Sequence, residues 1–205
     1  MSSFRQLMMK NKATLNPLIV TVGSPTISSN FKYSNISQYS YIYINQVFPL
    51  STANTWKMQC KFKYAQNPDP NTPIPFIAYY GNNSNDGKSP VLRAECSPAD
   101  KIRCLLSSVG NSNWNINVDV GTFTFSVGTT YYLEYGFTGS KYYVLNLDNN
   151  TEIWNKSSSL KVNCSNKIAL MHNGYNNGTE YCPSEMDLNK FKVYINDSLY
   201  FSAVV

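Results

Sequence analysis

Charge is what this sequence has least of. Only 14% of its 205 residues are Asp, Glu, Lys or Arg, against about 25% in an ordinary soluble domain. A charge-swollen disordered tail and a coiled coil both need more, so the composition argues against both. Long apolar runs are also missing. After Met1–Lys12 the first is Leu18, Ile19, Val20 and Val22, shorter than the roughly 7–15 residues of a secretory signal or the roughly 20 of a membrane span. There is one histidine, His172, and no Gly-x-Ser-x-Gly elbow beside it. The five cysteines, Cys60, Cys96, Cys104, Cys164 and Cys182, are odd in number and none forms a CxxC pair. That spacing indicates neither a disulfide scaffold nor a zinc site, and predicts reduced thiols packed as small hydrophobes. A Cys164–Cys182 bond is the exception to look for.

Uncharged polar and aromatic residues fill the gap. The chain has 26 Asn, 16 Tyr and 10 Phe, and a mean hydropathy of −0.32. Asn favours turns and aromatics favour strands, so an all-β protein is expected. The length suits one large domain with a real core. The net charge of +5 is unevenly spread, since seven basic residues precede the first acid, Asp69, and the remainder carries −2. The cations are mostly Lys, spaced singly rather than in arginine forks, which argues against a nucleic-acid partner.

Alternation locates the strands. In residues 55–64, Trp56, Met58, Cys60, Phe62 and Tyr64 point one way and Lys57, Gln59, Lys61 and Lys63 the other, giving one core face and one wet face. Similar runs occupy 18–22, 39–45, 74–80, 91–96, 102–106, 114–118, 122–126, 130–137, 141–147, 168–172 and 190–196, separated by Asn-, Gly- and Pro-rich turns. About a dozen such strands exceed what one open sheet holds without splitting, so a two-sheet antiparallel β-sandwich is predicted. Trp56, Met58, Phe62, Phe191, Val193 and Ile195 should face inward, and Trp56, Trp114 and most strand tyrosines should fill the core. Residues 1–16 read as an N-terminal arm. Phe4, Leu7 and Met8 share one face of a short helix capped by Ser3, with Arg5, Lys10 and Lys12 elsewhere. Such a stripe needs a partner to bury it.

Four segments carry a resemblance. Residues 130–154, TYYLEYGFTGSKYYVLNLDNNTEIW, resemble the "FDGSKY, then DG, then W" hairpins of laminin G-like domains, which belong to the concanavalin A-like jelly-roll superfamily. Residues 186–200, MDLNKFKVYINDSLY, are similar to that family's terminal strand pair, "IDLSKFKIYVNG". Residues 20–27, VTVGSPTI, and 55–63, TWKMQCKFK, resemble the first strands of the version found in bacteriophage structural proteins. The likeness spans residues 18–205. Asp148-Asn149 and Asn196-Asp197 replace the family's Asp-Gly and Asn-Gly turns, and both tolerate positive φ. The Met-rich basic leader resembles those preceding such domains in phage proteins, and the excess of Asn, Lys, Tyr and Ile fits a low-GC host or phage.

The resemblance implies a non-enzymatic virion structural protein, serving in capsid decoration or as a tail or tail fibre component. It would be made in the bacterial cytoplasm and be oligomeric or arrayed on the particle. Its arm (Phe4, Arg5, Leu7, Met8, Lys10, Lys12) would hold other virion proteins, and its loops would contact host or mucus glycans. Sugars stack on aromatic rings while amides read their hydroxyls. The candidate carbohydrate-binding residues are therefore Tyr79, Tyr80, Asn82, Trp154, His172, Asn173, Tyr175, Asn176 and Tyr181. A free carbohydrate-binding module and a jelly-roll glycan hydrolase are the alternatives. The hydrolase needs two carboxylates about 5 to 5.5 Å apart, but the Glu-x-Asp-x-x-Glu run is absent, and Glu180, Glu185 and Asp187 are split by Cys182-Pro183. Asp86, Asp100 and Asp148 form no clustered calcium motif. No catalytic residue, metal or cofactor is expected.

Overall fold

The computed structural model describes residues 13–80, 90–97, 99–109, 114–164, 167–173 and 179–205. They form two antiparallel sheets stacked as a β-sandwich. One sheet runs β1 (Ile19–Val22), β4 (Tyr41–Ile44), β13 (Lys167–Leu170), β6 (Ile74–Tyr80), β7 (Val91–Cys96), β8 (Ala99–Leu105), β9 (Val120–Thr124). The other runs β12 (Thr151–Ser157), β11 (Lys141–Asn146), β10 (Thr130–Phe137), β5 (Trp56–Lys63), β14 (Met186–Ile195), β3 (Lys32–Ser34), β2 (Thr26–Ile27), with β15 (Ser198–Ser202) also beside β14. This is the predicted jelly-roll class.

Side-chain alternation puts each sheet's apolar face inward. Ile42, Ile44, Ile168, Leu170, Leu92 and Ile102 come from one sheet, and Met58, Phe62, Leu133, Val144, Phe191 and Val193 from the other. An aromatic centre joins the layers: Phe62 stacks on Phe76 at 4.0 Å, and Phe76 meets Phe125 edge-on at 5.0 Å. Trp56 packs edge-on against Tyr135 at 5.3 Å. All five cysteines are free thiols, and Cys164 and Cys182 are not bonded. Burial pushes the thiols of Cys60, Cys164 and Cys182 up to about 12.

Several expectations are corrected. Residues 114–118 are not a strand, because Asn117 makes a single bridge to Leu106 and spends its amide on the Cys104 carbonyl at 2.7 Å. Ile195, at the strand end, is half-buried rather than fully inward. In the 148–150 turn it is Asn150, not Asp148 or Asn149, that carries the positive φ of 55°. Asn196 and Asp197 do adopt it, at 48° and 63°. Thr14, Leu15 and Asn16 pair with Val205, Val204 and Ala203, so these residues of the arm segment are tied to the sandwich. Phe4, Arg5, Leu7, Met8, Lys10 and Lys12 lie outside the described residues.

Candidate functional site

The outward face of the seven-stranded sheet is unusually aromatic. On β4, Ile42 and Ile44 point inward, so Tyr41 and Tyr43 point outward. Tyr80 ends β6 on the same side. Strand β13 lies between β4 and β6, and its Ala169 is registered with Tyr43 on one flank and with Ala78 on the other. Strands β4 and β6 stand two strand spacings apart, roughly 9.6 Å; Tyr80 is registered with Lys167, so it reaches Tyr43 diagonally, and the strand between offers the small, fully buried Ala169 opposite Tyr43.

The result is a ladder of rings. Tyr43 and Tyr80 stack at 3.8 Å with planes 4° apart, and Tyr80 lies tilted against Tyr41 at 6.1 Å. Tyr41 stacks on His172 at 3.9 Å and 9°, and His172 faces Tyr181 at 6.5 Å and 20°. Lys167 Nζ caps the far end, 5.5 Å from the Tyr43 ring. A local backbone irregularity makes the last rung possible. Met171 adopts φ of 59° and is itself buried, so two successive residues, Leu170 and Met171, point inward and His172 is turned outward.

The ladder is electrically quiet. His172 is fully buried and its Nε2–H donates to the Gln38 carbonyl at 3.2 Å. Burial pulls its pKa down to about 4, so the ring is neutral. Burial raises Tyr80 to about 12, reinforced by Tyr41 and Tyr43, whose hydroxyls it hydrogen-bonds.

Charge gathers at one flank instead. Glu95 of β7 accepts from Arg93 Nη2 at 3.0 Å and from Arg103 Nη1 at 2.5 Å. Burial pushes the Glu95 carboxyl up, but the two guanidiniums prevail and hold it below its ordinary value. Arg93 Nη1 also stands 3.7 Å from Glu180. Burial raises the Glu180 carboxyl, opposed by Arg93 and a hydrogen bond from Asn173. A small apolar cluster, Ala78, Val91 and Leu105 with Tyr79 and Trp114 against it, adjoins the ladder. Trp114 therefore sits outside the main core, contrary to the sequence expectation.

Of the candidate residues, Tyr80, His172 and Tyr181 converge on this face, with Asn173 and Tyr79 beside them. Asn82, Tyr175 and Asn176 fall outside the described residues. Trp154 goes elsewhere: it is 8% exposed, belongs to the core, and lines a groove between edge strands β9 and β12. Gly121 leaves it room, since a Cβ there would come within 2.8 Å of its ring. Sequence reading missed Tyr41, Tyr43, Arg93, Glu95 and Arg103. The alternating Tyr-Ile-Tyr-Ile of β4 was the available signal for the first two. Glu180, Glu185 and Asp187 do not converge, since Asp187 pairs with Lys32 at 3.1 Å and Glu180 with Arg93. Among the described residues no group of His, Cys, Asp or Glu is arranged to hold a metal.

Fold and face together define a jelly-roll β-sandwich with an aromatic outer platform. No protein-family model matches the chain, and no curated protein matches it. Among solved structures it is similar to the binding domain of botulinum neurotoxin DC in complex with rat synaptotagmin II, with a TM-score of 0.59 and 10% identity over 89% of this chain and 44% of that one. It has the same TM-score and identity to a structure concerning botulinum neurotoxin type C, whose cell entry depends upon interaction with two ganglioside molecules, over 89% and 43%. It is also similar to the enzymatically active domain of bacteriophage CBA120 tailspike protein 2, with a TM-score of 0.53 and 14% identity over 89% and 29%. The chain thus spans less than half the length of each, and at these identities the likeness is one of fold.

Proposed function

We propose that this chain is a non-enzymatic, glycan-binding structural protein of a bacteriophage particle, and that the tyrosine ladder is its saccharide platform. The observation that carries the reading is the stacked pair Tyr43 and Tyr80, half-buried on the outward face and held from below by the buried rings of Tyr41 and His172. Sugars present apolar C–H faces and many hydroxyls. Rings already fixed by stacking on one another offer apolar edges and hydroxyls to such a ligand at little ordering cost. Glu180 and Asn173 supply acceptors and donors at the rim. Binding rather than hydrolysis is favoured because both described carboxylates on this face, Glu95 and Glu180, are engaged with Arg93.

The virion assignment draws on the fold likeness to a phage tailspike domain, the basic Met-rich leader and the low-GC composition. Both parts are testable. The purified protein should bind a restricted set of glycans on an array, and Tyr43→Ala and Tyr80→Ala should abolish those signals without unfolding the domain. Mass spectrometry of purified particles should find the chain in stoichiometric amount, and deletion of residues 2–12 should remove it from them. An empty array with folded protein, or particles lacking the chain, would each overturn the corresponding half.

A further inference from the structure

The opposite surface of the sandwich has a different chemistry. On the outward face of β5, alternate residues Lys57, Gln59, Lys61 and Lys63 form a row about 20 Å long at 3.4 Å per residue. Tyrosines from neighbouring strands are laid across it. Tyr194 of β14 is registered with Lys57, whose Nζ sits 5.3 Å from its ring. Tyr132 of β10 is registered with Lys61 and is flanked by two ammoniums, Lys61 at 5.9 Å and Lys190 at 6.0 Å.

The carboxylates present do not neutralise this row. Glu134, its side chain 9% exposed, lies beneath it, accepting from Gln59 Nε2 and Tyr143 Oη at 2.8 Å each and pairing with Lys57 at 3.6 Å. Asp187 is taken by Lys32 and Glu152 by Lys141. Among the described residues Lys61, Lys63, Lys190 and Lys192 have no carboxylate within ion-pair distance. One end of the row opens into a pocket of about 140 Å³ lined by Lys57, Thr138, Tyr143, Tyr194 and Asp197. Gly136 lets Tyr143, one wall of that pocket, lie close over its backbone, because a Cβ would come within 2.8 Å of the Tyr143 hydroxyl.

We infer that this face is a second binding surface, separate from the tyrosine ladder, and that its ligand is an extended acidic saccharide bearing carboxylate, sulfate or phosphate groups. Flat rings at intervals accept pyranose faces, and the unpaired ammoniums between them accept the anionic substituents. Charge complementarity selects an anion, and the interleaved rings select a sugar chain over a featureless polyanion.

Calorimetric titration of the intact chain with polygalacturonate, dextran sulfate and neutral dextran tests this. At least one charged polymer should bind and neutral dextran should not, with the first two arms separating carboxylate from sulfate. Lys61→Gln/Lys190→Gln should weaken binding about tenfold and flatten its salt dependence. Tyr132→Leu, which keeps apolar bulk but loses the flat ring, should weaken it about fivefold. Tyr43→Ala should leave it unchanged, which keeps this result distinct from that of the first site. Unchanged affinity in the lysine pair variant overturns the proposal, as does unchanged affinity in Tyr132→Leu, because a generic basic surface would not need the ring. A single-stranded oligonucleotide binding as tightly as the acidic sugars overturns it too.

Discussion

The two sheets turn unlike surfaces to solvent although both are built from tyrosine. On the seven-stranded sheet the rings touch one another: Tyr41 is 4% exposed and His172 fully buried, so the outer face behaves as a thin second core. On the eight-stranded sheet the rings touch lysines, and among the described residues of that face Glu134 is the carboxylate drawn under the surface. The difference traces to the strand between. Ala169 lets rings from β4 and β6 close over it. On β5 the outward positions carry long polar side chains that keep Tyr132 and Tyr194 apart. Ring-on-ring contact yields a rigid neutral platform, and ring-on-lysine contact yields a hydrated, salt-sensitive one.

Equivalent truncations should separate the faces most strongly. Tyr41→Ala removes a buried stacked ring and should cost about 4 kcal/mol in urea denaturation, whereas Tyr132→Ala should cost under about 1 kcal/mol. Equal losses would mean that the two faces are packed alike.

Acid should act on the ladder next most strongly. The folded pKa of His172 lies near 4, below the ordinary 6.5, so the unfolded chain binds the proton first. Stability should be full above pH 6.5 and fall by up to about 3 kcal/mol as the pH drops toward 4, with no further loss from this group below that. The raised pKa of Glu180 works in the opposite sense, so the comparison is with His172→Gln, which should lack that decline. Parallel pH profiles for parent and variant would remove His172 from the ladder's energetics.

A smaller effect tests the spacer. Ala169→Leu should cost about 2 kcal/mol by overpacking, and should also part Tyr43 from Tyr80, visible as altered tyrosine ring shifts in NMR spectra. Retention of parent-like shifts would show that the ladder does not depend on a small residue at 169.

Much of the sandwich was legible in the sequence because half-buried strands alternate. The pattern of β5 gave its inward and outward sets, and the terminal hairpin carried its turn in Asn196-Asp197. The site was legible only in part. Tyr80, His172 and Tyr181 stood out as loop-flanking aromatics, but Tyr41 and Tyr43 join them across a third strand, and pairing order cannot be read from one sequence. The outward turn of His172 depends on a left-handed Met171, a conformation no residue preference predicts. Trp154 was misplaced for a similar reason, since its burial rests on the space left by Gly121, about thirty residues away and on the other sheet. On the lysine face the smallest effect is expected: Lys61→Gln/Lys190→Gln should shift stability by no more than about 0.5 kcal/mol.

The proposal that the ladder face binds saccharide is tested most directly by aromatic-region NMR. The protein is titrated with the strongest neutral saccharide from the glycan array, in about 0.5 M salt so that the lysine face is screened. The account predicts that ring signals of Tyr43 and Tyr80 move while those of Tyr132 and Tyr194 stay in place. Movement confined to Tyr132 and Tyr194, or none at all, would contradict it.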